Sequence, residues 1–123
     1  MMYPQGAQPV NATSGNVAAG TATATLPADA NAYNYLAGFD ISGAGATAGS
    51  VVDVTVSGVH GGPLTYKIAV PAGAAVAHGF QQKFFDPPLK STAKNTAITV
   101  SCPTLGVGNL HNVVHAFGFK MGE

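Results

Sequence analysis

Few residues in this chain are of a type and spacing that could do chemistry. His111 and His115 stand four apart. On a helix that spacing turns two imidazoles to one side and can hold zinc, with a glutamate between them as the base. Here no glutamate intervenes, and residues 112–120 alternate as a strand does. Positions four apart in a strand also share a face, but a structural zinc site needs four ligands, and His60 and His78 belong to other segments. His115 is therefore expected at the edge of an apolar face or in a subunit contact. Asp40 and Asp53 are the carboxylate pair that glycoside hydrolysis would need, yet both alternate with core-type residues, which aims them at solvent from a sheet face. Gly49-Ser50 leads into a strand rather than the helix of a nucleophile elbow. Gly43-Ala44-Gly45 has no helix after it to cradle a phosphate. Cys102 is the only cysteine, so no intramolecular disulfide forms, and it is expected as a small buried apolar side chain. The pattern predicts no catalytic apparatus and no cofactor or metal, and hence a structural or binding module.

The elements that must position these residues are strands. Thr21-Ala22-Thr23-Ala24-Thr25-Leu26 alternates hydroxyl and apolar positions until Pro27 stops it. Residues 33–41 put Tyr33, Tyr35, Phe39 and Ile41 on one face in a strict two-residue count. Residues 51–59 and 64–70 alternate on either side of His60-Gly61-Gly62-Pro63, a hairpin signal because glycine tolerates the positive φ of the turn. A less regular run, 76–85, is expected to end at Asp86-Pro87-Pro88, since proline cannot donate to a ladder. Residues 96–102 turn Ile98, Val100 and Cys102 inward, and residues 112–120 put Val113, His115, Phe117 and Phe119 on one face. About seven to eight short strands with Gly/Pro turns and no amphipathic helix predict an all-β fold, an antiparallel β-sandwich of jelly-roll or immunoglobulin-like type. The cysteine pair and tryptophan of an antibody domain are missing.

The first 20 residues show no sustained period and are expected to form an extended arm, flexible or ordered by a partner, ahead of a sandwich domain over 21–123. Within the arm, Tyr3, Pro4, Gln5, Gln8, Pro9 and Val10 are the expected contacts to another subunit or partner. The start of the chain has neither the basic nor the apolar region of a signal peptide, which predicts a protein that is made in the cytoplasm and stays soluble. No run approaches the ~20 apolar residues of a membrane-spanning helix.

Charge narrows the function further. Of 123 residues only 8% are charged, all five cations are lysines, five acids balance them, and arginine is absent. No basic patch is available to neutralise phosphates, so nucleic acid is an unlikely partner by this criterion. A surface so poor in charge guards weakly against association, which suits a chain packed against copies or partners, and the outward strand positions carry Thr, Ser, Ala and Asn.

The runs Thr21 to Pro27, Leu36-Ala37-Gly38-Phe39 and Val51 to Gly58, with Gly62 to Tyr66, Ala69 to Gly73 and Ala93 to Ser101, resemble small virion proteins of tailed bacteriophages, a likeness of strand phrasing over about residues 21–119. That resemblance implies a capsid decoration, or cement, protein located in the virion, homo-oligomeric and often trimeric. It would sit on the outer shell and bridge subunits of the major capsid protein. The alternative is a head-fibre or tail-associated sandwich that binds a receptor or glycan. Against it, tryptophan is absent and Tyr33, Tyr35 and Tyr66 are expected on core faces.

Overall fold

The computed structural model describes residues 4–73 and 81–122. Among the described residues the alternating runs form eight strands: β1 (Gln8–Thr13), β2 (Ala22–Leu26), β3 (Tyr33–Gly43), β4 (Ser50–Ser57), β5 (Leu64–Val70), β6 (Gln81–Lys90), β7 (Ile98–Cys102) and β8 (Asn112–Met121). They build two four-stranded antiparallel sheets, ordered β1-β8-β3-β6 and β2-β7-β4-β5. The pairs β1·β8, β2·β7, β3·β6 and β4·β5 are those of one long hairpin folded over on itself. The β3·β8 and β4·β7 ladders then complete the sheets. This is the jelly-roll arrangement of a β-sandwich, not the immunoglobulin order.

Apolar positions of the two inner faces meet in the middle. Leu26, Leu36, Ile41, Val54, Val56, Ile98, Val100 and Val114 are fully buried there, and Cys102 lies among them.

The structure differs from the sequence pattern in three places. First, the expected arm contains a strand: Gln8–Thr13 pairs along β8, with Val10 opposite Gly118 and Ala12 opposite Ala116. Val10 and Ala12 pack on the core, so the segment gains order from burial within its own chain.

Second, the two-residue count of β3 breaks. Leu36 and Gly38 stand opposite the adjacent residues Gly118 and Phe117, which makes Ala37 an extra residue, a β-bulge. Before it Leu36 faces the core; after it Phe39 and Ile41 do. Tyr33 and Tyr35 are thereby on the outer face, opposite to the expectation. On β8, Val113, His115, Phe117 and Phe119 share one face as expected, but it is the outer one; Val114 and Ala116 face the core.

Third, β6 runs through Asp86-Pro87-Pro88 to Lys90 instead of ending there. It is an edge strand whose ladder skips from Leu89 to Phe84, so the prolines remove no needed donor. Of the expected run 76–85, residues 76–80 lie outside the described residues.

Buried asparagines close both ends of the sandwich. At one end Asn34 Nδ2 donates to the carbonyls of Pro27 and Thr96 at 2.9 and 3.0 Å, while Asn34 N donates to Ser91 Oγ at 3.1 Å. At the other end Asn109 Nδ2 donates to Ala44 O and His111 O at 3.0 and 2.9 Å. Asn112 Nδ2 there reaches the carbonyls of Gly20, Cys102 and Pro103. Loops that would otherwise bury unmet carbonyls are tied to strands by these amides.

Two predictions follow from this packing. A Cβ at Gly118 would sit on the Tyr35 carbonyl oxygen and 3.0 Å from Ala37 N, backbone atoms of the bulge that cannot swing aside. Gly118→Ala should therefore lower the unfolding free energy by about 1–3 kcal/mol or more in urea titration; a wild-type midpoint would show that the bulge is not constrained by this contact.

The Lys120 ammonium donates to Asp29 at 2.8 Å, and Asn31 N donates to the same carboxylate at 2.9 Å. Together, the lysine first, they hold the Asp29 carboxyl below its usual range. A depressed carboxylate stabilises the fold above the unfolded-state pKa and loses that contribution as pH falls through the folded value. The stability advantage of wild type over Asp29→Asn should accordingly shrink as pH is lowered from about 6 to about 2, measured by urea unfolding across that range.

Candidate functional site

Alternation and the bulge decide which side chains the sheets present to solvent. On the β1-β8-β3-β6 sheet the register lines up three outward rows. Thr13, His115, Asp40 and Gln82 form the first; Asn11, Phe117, Gly38 and Phe84 the second; Pro9, Phe119, Tyr35 and Lys90 the third. Tyr33 lies beyond, opposite Met121.

Five aromatic rings thus occupy an outer face. Tyr35 and Phe119 stack with centroids 4.7 Å apart, and Phe84 meets Phe117 edge-on at 5.7 Å. The Lys90 ammonium sits 4.1 Å from the Tyr33 ring centre, a cation–π contact. Phe84 is 57% exposed. Phe117 lies over Gly38: a Cβ there would come within 2.6 Å of its ring, so the glycine leaves room for the ring and the ring covers the glycine's backbone, the aromatic rescue of a strand glycine. Of the other rings Tyr33, Tyr35 and Phe117 are half-buried and Phe119 is buried; a contiguous apolar patch of this kind marks an interaction surface.

A groove of about 300 Å³ opens beside these rings, lined by Asn11, Ala12, Asp40, His115, Ala116 and Phe117. Asp40 Oδ1 is buried and has no hydrogen-bond partner among the described residues. Asn34 Oδ1 and Asn112 Oδ1 share that condition, but their amides are locked in the closures of the sandwich ends, whereas Asp40 lines an open groove. The carboxylate can accept from a ligand that brings donors, while the buried Oδ1 itself is shut off from solvent.

The β2-β7-β4-β5 sheet presents a different surface. Thr23, Ser101, Thr55 and Thr65 line up across all four strands, with Thr25, Thr99 and Ser57 in the next row. Thr23 and Ser101 share a hydrogen bond of 3.2 Å, and Ser57 and Thr99 one of 2.9 Å. The charges on this face, Asp53 and Lys67, pair with each other at 2.7 Å. The result is a neutral, hydroxyl-covered plane.

The residues singled out from sequence scatter over these surfaces. Asp40 and Asp53 do point outward, but from opposite sheets, so they cannot flank one glycosidic bond. His115 is exposed on the aromatic sheet face. His111 precedes β8, and His78 lies outside the described residues. Among the described residues no group of three or more His, Cys, Asp or Glu converges on a metal position.

Of the expected contact residues, Pro4, Gln5, Gln8 and Pro9 are exposed near the free edge of β1, Val10 packs inward on the core, and Tyr3 lies outside the described residues. Sequence reasoning missed Asn11, Phe84 and Phe117 as surface groups. The alternation Val10-Asn11-Ala12-Thr13 was the available signal for the first.

Burial pushes the Cys102 thiol up to about 11, against a smaller opposing effect of Asn112. The native thiol should therefore resist a disulfide reagent at mild pH and react only on unfolding; stoichiometric labelling of folded protein at about pH 8 would contradict its burial. Comparison with known proteins finds no matching family model, no matching curated protein and no matching solved structure.

Proposed function

We propose that this chain is a decoration protein of a tailed-bacteriophage capsid, a many-copy, trimer-forming cement that lies on the shell and bridges major capsid subunits. The observation that carries this reading is the neutral hydroxyl plane of the β2-β7-β4-β5 sheet. Covering a surface costs least when its polar groups already have partners and its charges are already cancelled. Thr23 with Ser101, Ser57 with Thr99, and Asp53 with Lys67 meet that condition. A plane of this kind can be buried against a protein shell or a second copy at a smaller desolvation cost than a plane of unpaired polar groups and charges. A small footprint then becomes a firm hold when an oligomer repeats it.

The rest of the chain fits the same task. Shell reinforcement asks for a stiff domain and no chemistry. A sandwich closed at both ends by buried asparagines supplies the stiffness. In this reading the segment near Pro4, Gln5, Gln8 and Pro9 contributes at the rim. It acts as the start of an edge strand rather than as a free tether.

The test is occupancy on undecorated shells, with quantified binding of the wild type, Thr55→Lys and Thr99→Lys. A lysine in the middle of the plane would be buried without a partner, so either variant should lower affinity by about tenfold or more; Thr55→Lys should do so with an unchanged thermal midpoint, whereas Thr99→Lys also loses the bond to Ser57. Wild-type occupancy by both variants would exclude docking through this face. A wild-type protein that leaves the shells bare would exclude the decoration role itself.

A further inference from the structure

We infer that the groove between Asn11, Asp40, His115 and Phe117 is a carbohydrate subsite that takes one pyranose unit of a surface polysaccharide. This goes beyond the shell-binding role, from the opposite sheet, and does not depend on it. The sequence alone argued against glycan binding because tryptophan is absent and the tyrosines were expected on core faces. The bulge at Ala37 removes the second objection for Tyr33 and Tyr35 by turning them outward, while Tyr66 stays packed against the core.

The lining chooses among ligand chemistries. Asp40 lines the groove with a carboxylate, an acceptor; its Oδ1 is closed off from solvent and so is not the oxygen a bound hydroxyl would reach. Asn11 offers both a donor and an acceptor, and His115 either or both. A hydroxyl both gives and receives hydrogen bonds, so neighbouring hydroxyls of a sugar can satisfy all three side chains. A guanidinium has donors only and would leave the Asn11 and His115 donors unmatched. A metal ion would find a single carboxylate there, too few hard ligands.

Beside these polar groups stands Phe117, with Phe84 edge-on to it and more than half exposed. Aromatic faces accept the apolar C–H side of a pyranose while its hydroxyls turn to the polar groups. The groove volume of about 300 Å³ suits a single ring of this size. The aromatic rows also continue past the groove to Tyr35 and Tyr33, so further units of a chain would meet further rings. That continuity favours a polysaccharide over a free sugar.

The experiment uses the full ¹⁵N-labelled chain. It is titrated with neutral hexose polysaccharides (glucans, galactans and mannans), with the matching methyl glycosides, and with N-acetyl-argininamide as the cationic competitor. The expected result is saturable shifts at the Asn11, Asp40, His115 and Phe117 amides, stronger for a polysaccharide than for its methyl glycoside. Asp40→Asn should weaken binding by about tenfold. Phe84→Ala, a change at an exposed ring, should weaken it by about threefold. Both variants should keep the wild-type amide spectrum elsewhere, and Thr99→Lys on the far sheet should bind polysaccharide as wild type does.

Binding unaffected by Asp40→Asn and Phe84→Ala would move the site elsewhere and overturn the inference. So would shifts caused only by N-acetyl-argininamide, or the absence of any response to the whole sugar panel. None of these results bears on shell occupancy, which Thr55→Lys and Thr99→Lys report.

Discussion

One inserted residue governs what this molecule shows to its surroundings. Ala37 adds a step to β3 without adding one to β8, and because side chains alternate with a period of two, everything beyond it changes sides. Leu36 before the bulge and Phe39 and Ile41 after it can then all face the core, while Tyr33, Tyr35 and Asp40 all face out. The bulge is held by close backbone contact: Gly118 has no side chain because the Tyr35 carbonyl takes its place. The aromatic rows, the groove and the half-buried Asp40 carboxylate all inherit their orientation from this step.

The two outer faces that result are chemically unlike. One is a plane of hydroxyls in which Thr23 bonds to Ser101 and Ser57 to Thr99, with the ion pair of Asp53 and Lys67 internal to the face. The other carries rings, an under-solvated carboxylate and a groove. A sandwich with two such faces is suited to being held from one side while it presents the other. Jelly rolls serve in capsids and in lectins alike, so the architecture alone selects neither of the proposed roles; each proposal rests on the side chains of one face.

Scarcity of charge has a structural counterpart in the buried asparagines. Asn34, Asn109 and Asn112 meet loop carbonyls with neutral amides, where a charged group would cost more to bury. Lys67 and Lys120 are each paired with an aspartate, and Lys90 lies over Tyr33. The chain stays orderly with few charges because its polar contacts are mostly uncharged and internal.

The two-residue alternation by itself determined the fold class, six of the strands from Thr21 onward and the part of β6 over 81–85, the hairpin at Gly61-Gly62 and the inward set Ile98, Val100 and Cys102, because burial of one face of a regular strand is a local property of the residue pattern. It did not determine the phase of β3 and β8, the strand in residues 8–13 or the passage of β6 through two prolines. A bulge is defined by which residues stand opposite across a ladder, an edge strand by having only one neighbour, and a short strand such as β1 by the partner that covers Val10 and Ala12. These are relations between segments far apart in the chain. Only the tertiary structure could bring Asn11, Asp40 and His115, from three strands, to one groove, since nothing in their sequence spacing encodes that meeting.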